Sequence, residues 1–184
     1  LFKSEFEKDI QYKKFSVGDS IFTLYLTKTT SSQSHKLHFC AHNRSVKEEG
    51  LYNRIVDLGK YSVKTENENF YYQAFVIGDT LNEFVDIERV GFNFPNEEES
   101  EEETEEISLS KIRNGAIQCI EDLLSDYLDI VREEKLAKYK PTIYEEFPQY
   151  MSTFNYKSDE IKKLPPNLTK SKLEKVKRTA QMFA

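Results

Sequence analysis

The chain has 184 residues, of which 38% are hydrophobic, 13% aromatic and 32% charged, with a formal net charge of −6; this is the composition of a globular protein rather than a disordered or fibrous one. No apolar run approaches the roughly 20 residues that span a bilayer, and the opening LFKSEFEKDI lacks the basic start and apolar core of a signal peptide, so no membrane partner is expected and a cytoplasmic location is. Cys40 and Cys119 stand far apart, outside any disulfide framework or CxxC metal knuckle, and both are expected as free thiols.

The net charge conceals one segment. Eight glutamates lie between positions 97 and 106, so the rest of a chain with net charge −6 carries +2. Like charges repel and bury nothing, and residues 96–107 are expected to form a solvated acidic loop. Residues 157–184 have the opposite bias, eight Lys or Arg against three Asp or Glu. The chain opens on Leu1 and closes inside the helical pattern SKLEKVKRTAQMFA, and is expected to be a piece of a longer polypeptide.

In chain order, residues 1–18 mix Phe2, Phe6, Ile10, Tyr12 and Phe15 with charges at a weak helical spacing, a lead-in segment that ends at the Gly18-Asp19 turn. IFTLYLT, from Ile21, is rich in β-branched and aromatic residues, and KLHFCAH alternates Leu37, Phe39 and Ala41 against polar positions. The polar linker TKTTSSQS between them predicts an antiparallel pair. EEGLYNRIVDLGK, residues 48–60, predicts a short helix or helical turn with Leu51, Ile55 and Leu58 inward, fenced by Gly50 and Gly59. NFYYQAFVI, from Asn69, is apolar or aromatic at nearly every position and predicts a strand covered on both faces.

GDTLNEFVDIERVGFNFP then predicts a turn and a short extended piece ending on Phe92 and Phe94. After the acidic run, Ser108 or Ser110 caps a long predicted helix whose apolar positions Ile112, Ala116, Ile120, Leu123, Tyr127 and Val131 recur at three and four, with Pro141 at its end or in the turn beyond. A Tyr/Phe-rich stretch, the break LPPN and a terminal helix close the chain. Strands first, with a long helix packed across them, predict an α+β layer structure.

Several chemistries can be weighed directly. His38, Cys40 and His42 project from one face if KLHFCAH is a regular strand, which offers two imidazoles and a thiol to zinc. Without a fourth ligand at a recognisable spacing, the polar face of a half-buried strand is the stronger reading. No nucleophile motif and no carboxylate pair in an apolar setting is present. The six glycines, at 18, 50, 59, 78, 91 and 115, form neither a G-x-G nor a Walker pattern, so no cofactor is expected on this chain and the chain itself is not expected to be catalytic. A basic stripe with interleaved aromatics is missing too, and nucleic acid is not indicated.

Two segments resemble the second domain of MutL-type mismatch-repair ATPases and their GHKL relatives, among them the gyrase B subunit and heat-shock chaperones. HKLHFCAHNRSVK is similar to an apolar strand entering F-I-N-G-R-x-V, matched at Phe39, Asn43, Arg44 and Val46, with one extra residue and no glycine. FYYQAFVIGDTLNEFVDIERVGFNF is similar to a strand, a tight turn and V-x-V-H-P-x-K-x-E-V-R-F; Asp86-Ile87 replace His-Pro, and Arg89 stands where the family has its phosphate-reaching lysine. The similarity covers roughly residues 20 to 135.

The resemblance implies a ribosomal-protein-S-five second-domain-like fold, a sheet of about four strands with helices on one face, over residues 19–135, with 136–184 a helical extension or the start of a further domain. It implies a transducer. Arg89, and more weakly Arg44, would contact the γ-phosphate of ATP bound with Mg in an N-terminal ATPase domain of the same polypeptide, coupling nucleotide state to conformational change and dimer closure. The competing expectation is an independent protein-interaction module that uses the acidic loop or residues 143–156.

Overall fold

The computed structural model describes residues 10–66, 68–94 and 107–146. The acidic run and everything from position 147 onward, including most of the aromatic stretch and the terminal helical pattern, lie outside the described residues. The chain divides into two compact units, Leu1–Leu51 with Lys60–Leu123, and Tyr52–Gly59 with Leu124–Ala184.

The first unit is an α+β layer built on a mixed sheet. Its strands are β1 (Gln11–Val17), β2 (Ser20–Thr29), β3 (Lys36–Ala41), β4 (Arg44–Gly50), β5 (Val63–Lys64) and β6 (Asn69–Ile77), in the order β1-β2-β6-β3-β4, with β5 paired to β6. The expected α+β sheet with helices packed on it is present, with six strands among the described residues. The expected pairing of β2 with β3 does not occur, because β6 lies between them, antiparallel to β2 and parallel to β3. β6 is the most continuously apolar strand and takes a central place, but only its Phe70, Tyr72, Ala74 and Val76 face is fully covered; on the other, Tyr71 and Phe75 are half-buried and Ile77 is exposed, less cover than the composition predicts. The weak helical spacing over 1–18 gives way from Gln11 onward to an edge strand, zipped to β2 through the Gly18-Asp19 turn.

Alternation along the strands sorts the two faces. Phe22, Leu24, Leu26, Leu37, Phe39, Tyr72, Ala74 and Val76 are buried on one of them. That face meets α2 (Leu109–Leu123), whose buried stripe is Leu109, Ile112, Ala116, Cys119 and Ile120. Ser108 accepts the Lys111 N–H at 3.3 Å, as expected of a cap. Two ion pairs pin the helix to opposite edges of the sheet: Asp122 with Lys13 of β1 at 2.6 Å, and Arg113 with Glu49 of β4 through two bonds of 2.6 and 2.7 Å.

The helix meets the sheet closely at Gly115, where a Cβ would lie 2.6 and 2.7 Å from ring carbons of Phe15. A helix-interior Gly→Ala change ordinarily gains about 1 kcal/mol. Here the overlap outweighs that gain, and Gly115→Ala is expected to lower stability by about 1 kcal/mol, whereas in a Phe15→Ala background it should raise it. Urea midpoints of the four proteins check the reversal.

The other face of the sheet is less covered. Tyr12, Ile21 and Tyr25 on it are 66%, 66% and 37% exposed, and Ile77 is 40% exposed. Tyr12 pairs with Tyr25, and Tyr25 in turn pairs with Phe75.

Between β4 and β5 the predicted short helix is two 3-10 turns, Leu51–Asn53 and Val56–Leu58, with Leu51, Ile55 and Leu58 buried as expected. After β6 the chain enters α1 (Asp79–Phe84), where only a turn had been expected. The single long helix predicted beyond residue 107 is two, α2 and α3 (Ser125–Glu146), which part at Leu124. Ser125-Asp126 follow, residues that favour a helix start over its interior. Pro141 lies within α3 instead of ending it; the carbonyl it leaves unbonded belongs to exposed Ala137, where water can satisfy it. Among the described residues no helix is long and apolar enough to cross a membrane.

Candidate functional site

Arg89 sits in the loop that follows α1. The helix ends at Val85 in an extended conformation, and Val85 bridges Phe92. Asn93 N–H donates to the Phe84 carbonyl at 2.7 Å, and Asp86 N–H to that of Gly91 at 3.1 Å, which closes the loop's base. Inside it, Arg89 N–H donates to the Asp86 carbonyl at 3.1 Å, and Val90 N–H to the Asp86 carboxylate at 2.9 Å. Asp86 thus acts as the loop's internal scaffold, the usual role of Asp in a turn.

At the tip, Arg89 has φ of 58°, an uncommon backbone for a residue with a side chain. Its guanidinium is exposed, and among the described residues it has no hydrogen bond or ion pair. Pairing with Asp86 or Glu88 is the ordinary fate of such an arginine; no such pair occurs among the described residues, and Asp86 Oδ1 accepts the Val90 N–H instead. The neighbours are apolar and equally outward: Ile87 is 102% exposed and Val90 71%. The loop thus turns two aliphatic side chains, Glu88 and Arg89 to solvent.

Arg44 starts β4 and is exposed. It follows a turn whose two residues, His42 and Asn43, have φ of 48° and 63°. A two-residue hairpin turn of this hand prefers glycine at such positions; here the His42 N–H is held by the Asn82 side-chain carbonyl at 2.7 Å. No hydrogen bond or ion pair joins Arg44 to Arg89 among the described residues.

The zinc alternative at His38, Cys40 and His42 does not assemble. The register of β3 with β4 shifts between Phe39 and Cys40, and His42 lies in the turn, so the regular alternation that placed the three side chains together fails. His38 has both nitrogens engaged, Nε2 donating to Gln73 Oε1 at 2.9 Å and Nδ1 with Ser45 Oγ at 3.0 Å, and its ring stacks on Phe75 at 4.6 Å. Burial pushes the Cys40 thiol up to about 11, far from the thiolate a metal needs. Among the described residues no group of three or more His, Cys, Asp or Glu is placed to hold an ion.

His35 was not singled out from sequence, yet it is fully buried. Nδ1 accepts the Tyr72 N–H at 2.9 Å, so the ring proton is on Nε2 and is donated to the Tyr61 carbonyl, also at 2.9 Å. Burial pulls its pKa below the usual value, with the Tyr61 carbonyl acting weakly the other way. With the folded pKa below the unfolded one, about 6.5, the unfolded chain takes up the proton first as pH falls. His35 therefore contributes its full stability above about pH 6.5 and loses it progressively below. Urea midpoints should drop between pH 7 and pH 5, and the imidazole NMR titration of His35 should centre below about 6.5.

The described geometry defines an α+β sheet domain with one helix-covered face and a self-closed, outward-facing loop that carries Arg89 at its tip. Comparison with protein-family models, with curated proteins and with solved structures finds no match to the chain.

Proposed function

We propose that the chain is the transducer unit of a GHKL-type ATPase, in which Arg89 reaches the γ-phosphate of ATP held with Mg in another domain of the same polypeptide. The observation that carries this reading is the 85–92 loop: the residue that the motif similarity picks out is a cation without an ion-pair partner among the described residues, at the tip of an internally bonded turn and flanked by exposed Ile87 and Val90. The aliphatic pair suits docking against a domain surface, and the guanidinium suits phosphate, which its planar fork meets with two parallel bonds.

A fixed positive charge beside a transferring phosphoryl group stabilises the charge that develops there, and it loses its partner once phosphate leaves. One contact thereby serves turnover and switching, coupling hydrolysis to domain rotation and dimer closure. The ribosomal-protein-S-five-like topology and a reducing cytoplasm, which suits two buried free thiols, belong to the same reading. The full-length protein carrying Arg89→Ala tests it: nucleotide should still bind while turnover falls.

A second reading, an interaction module independent of ATP, is favoured by the less covered sheet face with Tyr12, Ile21, Tyr25 and Ile77 outward. It predicts that partner capture survives Arg89→Ala and is lost on Tyr12→Ser with Tyr25→Ser.

A further inference from the structure

β3 and β6 run parallel side by side and end at Ala41 and Ile77. Beyond those ends the chain leaves in two directions, through the His42-Asn43 turn into β4 and through Gly78 into α1. Where adjacent parallel strands part in this way a crevice opens outside their carboxyl ends, the usual place for ligands in parallel sheets. A cavity of about 480 Å³ lies there, within the range of small-molecule sites.

Its shape depends on two local devices. A Cβ at Gly78 would come within 2.6 Å of the Phe22 ring, so only glycine lets the chain leave β6 this closely over the core. On the opposite rim, Asn82 of α1 fixes the left-handed His42-Asn43 turn through the 2.7 Å bond to the His42 N–H. The walls are Ile21, Ile77 and the Cys40 thiol, which at neutral pH is an uncharged, weakly polar group.

Charge selects the ligand. Asp79 is the acidic residue of the lining, and among the described residues no lysine or arginine joins it there; the other polar lining residues are Thr23, His42, Asn43 and Asn82. Phosphates and carboxylates would therefore meet an unanswered like charge, while an ammonium or guanidinium would find a counterion and the amide carbonyl of Asn43. We propose that this crevice binds an aliphatic cation, with the amine or guanidine at Asp79 and the alkyl stem along Ile21 and Ile77. That chemistry belongs both to a free small molecule and to an arginine or lysine side chain.

The test is a titration of the 184-residue chain, followed by amide NMR, with n-butylguanidinium, with a capped Gly-Arg-Gly peptide and with butyrate. Saturable shifts confined to positions 21–23, 40–43 and 77–82 are expected with the two cations and not with butyrate. Tighter binding of the peptide assigns the site to a side chain, and tighter binding of butylguanidinium to a free ligand. Asp79→Asn should weaken the cations by roughly fivefold, and Ile21→Ser, at an exposed position that leaves the core intact, should weaken butylguanidinium but not methylguanidinium. Equal binding of butyrate, indifference to Asp79→Asn, or no saturable shift at these positions would overturn the proposal.

Discussion

Asp57→Asn should lower the unfolding free energy by about 3–5 kcal/mol. Within the second unit, the Val56–Leu58 turn presents Asp57 to α3, where its carboxylate accepts from Arg132 Nε at 2.8 Å and from the Lys135 ammonium. The three side chains are 2%, 9% and 1% exposed. Burial draws the Lys135 pKa down, and Asp57 is what opposes it. Charges taken out of water are tolerated only while they are matched, so the loss exceeds the worth of the two bonds: two buried cations lose the carboxylate they share. Lys135→Met, which removes a buried charge and keeps an apolar stem, should therefore cost less than Asp57→Asn. Urea unfolding of the two variants decides the order, and the reverse order would mean that the cluster is held chiefly by packing.

The parts of the fold legible in the sequence are those where burial imposes a period. β2 alternates because one of its faces lies on the core, β3 alternates in residue type although it is buried from Leu37 to Ala41, β6 is the most apolar strand and lies centrally in the sheet, and α2 repeats at three and four because one stripe meets the sheet. β1 and β4 escaped that logic. Lys13 and Lys14 interrupt the alternation of β1, and RSVKEEG has no apolar period at all; as edge strands both are held by hairpin pairing to a neighbour more than by burial. Six residues are too few for α1 to show a helical period. The α2 and α3 break has no glycine or proline to announce it, and Pro141 announces a break that does not occur.

The candidate site divides in the same manner. Arg89 was reachable only through the motif similarity, because DIERVG by itself fits a surface salt bridge equally well. That Asp86 bonds backbone instead is a property of the closed loop and leaves no mark on composition. The cavity beyond β3 and β6 has no sequence signal, since it joins positions 21–23, 40–43 and 77–82 by way of strand order. The weaker zinc alternative at His38, Cys40 and His42 fails for a related reason: one shift in register between Phe39 and Cys40 undoes an argument from period two.

Arg89→Ala carries the other large expected effect. A cation that acts on charge developing during phosphoryl transfer contributes to the transition state and little to ground-state binding, so its loss should appear in turnover. Removing such a group slows turnover by about 10²–10³-fold, with nucleotide Kd changed by no more than about threefold. Arg89→Lys, which keeps the charge and loses the fork, should fall between. Asp86→Ala should slow turnover in the same direction by releasing the turn that presents Arg89, although Asp86 touches no nucleotide.

The most direct measurement is single-turnover ATP hydrolysis by the full-length protein and its Arg89→Ala variant at saturating nucleotide. The transducer assignment predicts intact binding with hydrolysis slowed by about 10²-fold or more. Hydrolysis at the unaltered rate, with binding intact, would contradict it.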